Sequence, residues 1–170
     1  MNSYITLAKS AVETNIREGK IISPPPDLPK DFLVRKSGVF VTIENNNQLR
    51  GCIGTYLATT KNIAEEIIRN AIAASTQDSR FDPITKEELA HLSYTVYILN
   101  PPEQIKNVQD LNPKKYGVLV KFGFKSGLLL PDLEGVDTIE QQLAIACSKA
   151  GIYPETDKMA IYRFTVEKHK

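Results

Sequence analysis

Apolar residues recur at helical spacing from residue 3 to residue 18: Ile5, Ala8, Val12 and Ile16 share one stripe, and Gly19 follows where a helix would stop. Ser23-Pro24-Pro25-Pro26 then forces an extended connection, read as a surface strap, because a lone helix before it would have no core of its own. The period changes at residues 38–56. Val39 to Ile43 has strand propensity, Asn45-Asn46-Asn47 tolerates positive φ, and Leu49 to Tyr56 returns, so a hairpin is predicted. Asn62 and Glu65 have capping-box spacing ahead of a helix through Ile63, Ile67, Ala71 and Ala74. Thr85 and Glu88 repeat that signal before a short helix ending near Leu92. Strands are predicted over 94–99, 117–122 and 127–130, the last two around a turn at Gly123–Ser126. Asp137 and Glu140 cap a helix through Ile139, Leu143, Ala146, Cys147 and Ala150, closed by Gly151, and Ala160 to Val166 alternates into a last strand.

The resulting order is α-β-β-α-α-β-β-β-α-β. Hairpins outnumber βαβ crossovers, which predicts an α+β fold with a mostly antiparallel sheet and flanking helices rather than a doubly wound one. At 170 residues and 42% hydrophobic content, the chain can bury a core as one domain or as two small, interdependent lobes.

Charge narrows the function classes. With 21 Lys+Arg against 20 Asp+Glu, the formal charge of +1 offers no global field for phosphate backbones or anionic lipid, so generic DNA or RNA binding is expected to be weak. Two cysteines are too few for a disulfide framework or a cysteine-only zinc site. No leader pattern and no apolar run of membrane-spanning length is visible, and the expected compartment is a reducing cytoplasm. Phosphate-loop, dinucleotide and nucleophile-elbow motifs are absent, and His91 and His169 are isolated, so neither a cofactor nor a metal is expected.

One segment carries candidate chemistry, Leu49-Arg50-Gly51-Cys52-Ile53-Gly54-Thr55. Strand alternation would put Arg50 and Cys52 on one face with Cα atoms roughly 6.7 Å apart. A guanidinium there favours thiolate over thiol, and Gly51 and Gly54 leave room for a ligand or for another backbone. Two readings stand: Cys52 is a nucleophile with Arg50 as its stabiliser, or Cys52 is a small buried hydrophobe and the glycines are packing devices. Cys147 lies on the apolar face of its helix and reads as structural. Asp78-Ser79-Arg80-Phe81-Asp82-Pro83 is a second polar stretch. Asp78 and Arg80 either bind polar groups of a ligand or form a capping and ion-pair loop held by Phe81 and Pro83. Arg50, Cys52, Asp78 and Arg80 are expected to line one cleft.

These blocks resemble the AMMECR domain family, also called protein A of the AmmeMemoRadiSam system. The match begins at Gly38-Val39-Phe40-Val41-Thr42, takes in the cysteine segment and the Asp78–Pro83 stretch with Glu88-Leu89, and continues through Thr95-Val96-Tyr97-Ile98-Leu99. It ends with Tyr116-Gly117-Val118, Gly127-Leu128-Leu129-Leu130-Pro131 and Lys149-Ala150-Gly151, so ordered blocks run over roughly residues 38–151. Tyr116 stands where many members have His, and the Trp that many carry after the Leu-Pro segment is absent. The resemblance implies an α+β protein with two lobes around a cleft lined by the signature residues, and a family whose activity is not settled. It further implies a nucleotide, RNA or peptide as ligand, Memo-like and radical-SAM proteins as partners, and either an enzymatic role or that of a binding module or scaffold.

Overall fold

A computed structural model describes residues 2–170. The chain forms two compact units, one running to Leu99 and taking in Glu167–Lys170, the other spanning Asn100–Val166. The first unit opens with α1 (Ser3–Glu18), whose N-cap Asn2 accepts the Tyr4 N–H at 3.0 Å and whose C-cap Gly19 adopts φ 69°. After the strap comes a short α2 (Lys30–Val34), which buries Phe32 and which the sequence pattern did not predict. The predicted hairpin is present as β1 (Val39–Asn45) and β2 (Gln48–Thr55), joined through Asn46 and Asn47 at φ 50° and 65°. Positive φ at both turn residues matches the twist of the strands they connect.

Helix α3 (Ile63–Thr76) is capped by Asn62, which accepts the Glu65 N–H at 3.0 Å. Together with α1, it packs on the face of β1 that carries Val39, Val41 and Ile43. The sheet is ordered β2-β1-β3-β8, with β3 at Leu92–Leu99 and β8 at Val166–His169. The second unit holds β4 (Glu103–Gln104), β5 (Gly117–Phe122), β6 (Lys125–Leu129), α4 (Ile139–Ala150) and β7 (Ala160–Phe164), in a sheet ordered β4-β7-β5-β6. Its core joins Val118, Val120 and Leu129 to Ala146, Cys147 and Ile152. Cys147 is buried with its thiol 3.4 Å from the Met159 sulfur, the structural position expected for it, and burial raises its pKa.

The fold is α+β and every assigned ladder is antiparallel, but the strands divide between two sheets. The segment read as one last strand over 160–166 breaks at Thr165, and the chain continues as β8 into the first sheet. The cap of α4 lies one residue beyond the expected pair: Thr138 accepts the Gln141 N–H and the Gln141 side chain accepts the Thr138 N–H, a complete capping box. Thr85 and Glu88 yield only a 3-10 turn over Glu88–His91, because the Glu88 carboxylate has other partners as well as the Thr85 N–H.

Candidate functional site

The first sheet turns two chemically different faces to its surroundings. Register places Val39, Val41 and Ile43 inward, and Phe40, Thr42 and Glu44 on the opposite face. Thr42 pairs with Cys52 on one side and with Thr95 on the other, so a thiol and two hydroxyl-bearing residues line up across three strands. The Cys52 sulfur, half-buried, is 3.1 Å from Thr42 Oγ1, and the Cys52 N–H donates to Asp78 Oδ2 at 2.9 Å.

Asp78 receives Arg80 as a fork, Nε to Oδ1 at 3.0 Å and Nη2 to Oδ2 at 2.7 Å, while the Arg80 backbone N–H also donates to Oδ1. The Arg80 hydrogen bonds outweigh burial and, with the Cys52 and Arg80 N–H groups, hold the Asp78 carboxyl down at about 2. The Asp78 hydrogen bonds in turn raise the pKa of the Arg80 guanidinium.

Arg50 has a different setting from the expected one. The ladder pairs Ile43 with Gly51 but Glu44 with Leu49, so Arg50 is the extra residue of a bulge and the simple alternation with Cys52 is broken. Its guanidinium donates through Nε and Nη2 to Glu88, at 2.6 and 3.1 Å, and through Nη1 and Nη2 to the carbonyls of Asp82 and Pro83, at 2.7 and 3.3 Å. Arg50 chiefly depresses Glu88, to about 2, against the effect of burial and with help from the Thr85 N–H and Asn45. Arg50 thereby ties β2 to the 82–88 segment. Its guanidinium and that of Arg80 lie 6.0 and 5.4 Å from the Phe81 ring centre. Phe81 thus lies between Arg50 and the linked group Arg80–Asp78–Cys52.

The glycines of the segment have packing neighbours. Gly51 is buried and faces α3, where a Cβ would strike the Ala74 carbonyl. A Cβ on Gly54 would strike the Phe40 ring and the Val39 carbonyl. The room expected at Gly51 for a ligand is thus taken by a helix backbone, and Gly54 lies against the neighbouring strand.

Glu66 went unnoticed in the sequence, since it reads as an ordinary first-turn carboxylate of α3. It is fully buried and accepts five hydrogen bonds: the hydroxyls of Thr55, Thr59 and Thr60 and the backbone N–H groups of Thr59 and Thr60. Burial would raise its pKa, but those donors outweigh it and lower it. Glu66 therefore fixes the loop that follows β2. The usable signal was the pair Thr59-Thr60 just ahead of the Asn62 cap, a cluster of donors awaiting an acceptor.

In the second unit Tyr116 has its ring 4.5 Å from the Arg163 guanidinium carbon and 5.0 Å from Lys115 Nζ. Arg163 is itself tied to Glu103 and to the Asp110 carbonyl. Among the described residues no group of three His, Cys, Asp or Glu side chains is placed to hold a metal, and no helix is long and apolar enough to cross a membrane.

The AMMECR1 family profile matches residues 5–169. The chain belongs to the AMMECR1 family. It is 51% identical over 168 residues to a protein of Thermotoga maritima, a match covering 98% of this chain and 97% of that one. A Clostridium acetobutylicum protein is 45% identical over 98% of this chain, which corresponds to 36% of that longer protein. A crystal structure of an uncharacterized protein from Pyrococcus horikoshii has a TM-score of 0.88 at 37% identity, over 97% of this chain and 88% of that one. The ordered blocks read from the sequence fall within this AMMECR1 match.

Proposed function

We propose that the outer face of the first sheet around Cys52 is a reaction site, with the Cys52 thiolate as nucleophile and Arg80 as the cation beside it. On this reading the chain works in a reducing cytoplasm as an enzyme, or as the catalytic partner in an assembly with Memo-like and radical-SAM proteins. Its substrate is a nucleotide, an RNA end or a small molecule. The observation that carries the reading is the setting of the thiol: half-buried, 3.1 Å from a hydroxyl, on a backbone fixed by the Asp78 carboxylate. A cysteine used only as a core hydrophobe sits as Cys147 does, between apolar side chains and a thioether. The thiolate would form the new bond to an electrophilic carbon as the leaving group departs with its electron pair, the thiol proton having gone to solvent. Arg50 acts through its hold on the 82–88 segment and not on the sulfur.

A second reading, a binding module without covalent chemistry, is favoured by one observation: each arginine of the cluster already has a carboxylate partner, Glu88 for Arg50 and Asp78 for Arg80. Alkylation separates the two. Native protein treated with iodoacetamide near neutral pH should be modified at Cys52 at least as fast as a small-molecule thiol, and at Cys147 only after unfolding. A Cys52 that stays unmodified until the protein unfolds would transfer the assignment to the binding module.

A further inference from the structure

We propose that Arg80 selects the substrate of the Cys52 site, and that it does so by binding a singly charged carboxylate adjacent to the carbon that Cys52 attacks. This rests on the reading of Cys52 as nucleophile. A guanidinium offers two edges to planar anions, one built on Nε with one terminal nitrogen and one built on the two terminal nitrogens. Asp78 occupies the first edge of Arg80 through Nε and Nη2. The second edge, with an N–H on Nη1 and the remaining N–H of Nη2, takes up no hydrogen bond among the described residues, and the side chain is 55% exposed. Arg50 provides the contrast within the same cluster: it is 17% exposed, and Nε, Nη1 and Nη2 are all engaged by Glu88 and two carbonyls. Arg80 is thus the arginine of the cluster with a fork to offer.

Position ties that fork to the backbone of the residue that bears the sulfur. The Cys52 N–H and Arg80 Nη2 both donate to Asp78 Oδ2, so the two residues are no more than two hydrogen-bond lengths apart through one atom. The Asp78 fork and the Phe81 ring beneath the guanidinium limit its rotation, so the open edge is presented before any ligand arrives. Charge sets the class of anion. Arg80 is neutralised by Asp78, and Arg50 by Glu88. A carboxylate gains two charge-assisted hydrogen bonds at the open edge, whereas a phosphate dianion would bring a second negative charge toward Asp78 when both arginines of the cluster are already paired.

The test uses two alkylating probes of nearly equal size, iodoacetate and iodoacetamide. The iodoacetate-to-iodoacetamide rate ratio at Cys52 should exceed that of a small-molecule thiol by on the order of tenfold. It should fall to the small-molecule value in both R80Q and R80K. Lysine keeps the charge opposite Asp78 but has no second edge, so R80K guards against a loss caused by misfolding of R80Q. Propionate should protect Cys52 from iodoacetamide better than inorganic phosphate does at matched ionic strength. A ratio equal to the small-molecule value, or one unchanged in R80K and R80Q, overturns the role of Arg80 and leaves the nucleophile standing. Protection by phosphate equal to or better than that by propionate overturns the carboxylate assignment. A Cys52 inert to both probes removes the nucleophile and this inference together.

Discussion

Asp78 Oδ2 accepts from a strand N–H and from a guanidinium at once, and Glu88 takes Arg50, Asn45 and the Thr85 N–H. Both carboxyls titrate near 2 in the folded protein, against ordinary values of 3.8 and 4.5. A depressed pKa contributes stability that is present above the unfolded value and is lost as pH falls through the folded one. The protein should therefore hold its urea midpoint from pH 7 down to about 5 and lose roughly 2 kcal/mol per carboxylate between about pH 4.5 and 2. Asp78→Asn should be less stable at pH 7 and show a shallower decline, and urea titrations at several pH values measure both. Glu66 makes a separate case. Glu66→Ala leaves the Thr59 and Thr60 N–H groups without their acceptor and should cost about 3 kcal/mol. In Glu66→Gln the amide oxygen still accepts those N–H groups and the threonine hydroxyls can turn to accept from the amide nitrogen, so the loss should be smaller. Hydrogen exchange at the Thr59 and Thr60 amides should accelerate in the first variant and much less in the second. Apart from the Thr85–Glu88 signal, these partnerships were not read from the linear order; Asp78 meets Cys52 across 26 positions and Glu88 meets Arg50 across 38.

At the scale of elements, both units solve the same packing problem. Gly51 lets α3 rest its Ala74 carbonyl against β2, and Gly127 lets α4 rest its Ala146 carbonyl against β6. A methyl group at either place must displace helix backbone rather than the end of a flexible side chain. Gly51→Ala should therefore cost about 3 kcal/mol or more. Gly19→Ala, at φ 69° with open space around it, should cost only about 1 kcal/mol, the strain of a left-handed conformation. Chemical denaturation of the two variants side by side checks the difference. The bulge at Arg50 belongs to this scale too. Period-two reasoning located β2 and put Arg50 on the face of Cys52, but one extra residue between Leu49 and Gly51 turned Arg50 toward Glu88. Alternation carries no record of such an insertion, since a bulged strand and a regular one have the same residue types.

For the whole molecule, near-balanced charge governs what it binds without discrimination. With 21 Lys+Arg against 20 Asp+Glu and a formal charge of +1, the chain has no net positive field to draw in a phosphate backbone, and Arg35, Arg50, Arg80 and Arg163 are each already ion-paired. Random duplex DNA or RNA should bind more weakly than about 1 μM at physiological salt in a fluorescence anisotropy titration. The sequence by itself determined the α+β class, the hairpin with its Asn46-Asn47 turn, both ends of α1 and the start of α3, the structural place of Cys147, and the family, through its ordered blocks. These are local or additive properties: periodicity, caps, turn chemistry and motif order are written in residues a few positions apart. Only the tertiary structure decided that the strands form two sheets, that the chain past Thr165 returns to the first of them, and that the Asp78 carboxylate paired with Arg80 also accepts the Cys52 N–H. It also decided that Gly51 serves a helix and that Glu66 is buried under three threonines. Each of those outcomes depends on which distant donor reaches which acceptor, and that follows from the closure of the chain in space, where a single bulge or one strand changing sheets redirects every side chain beyond it.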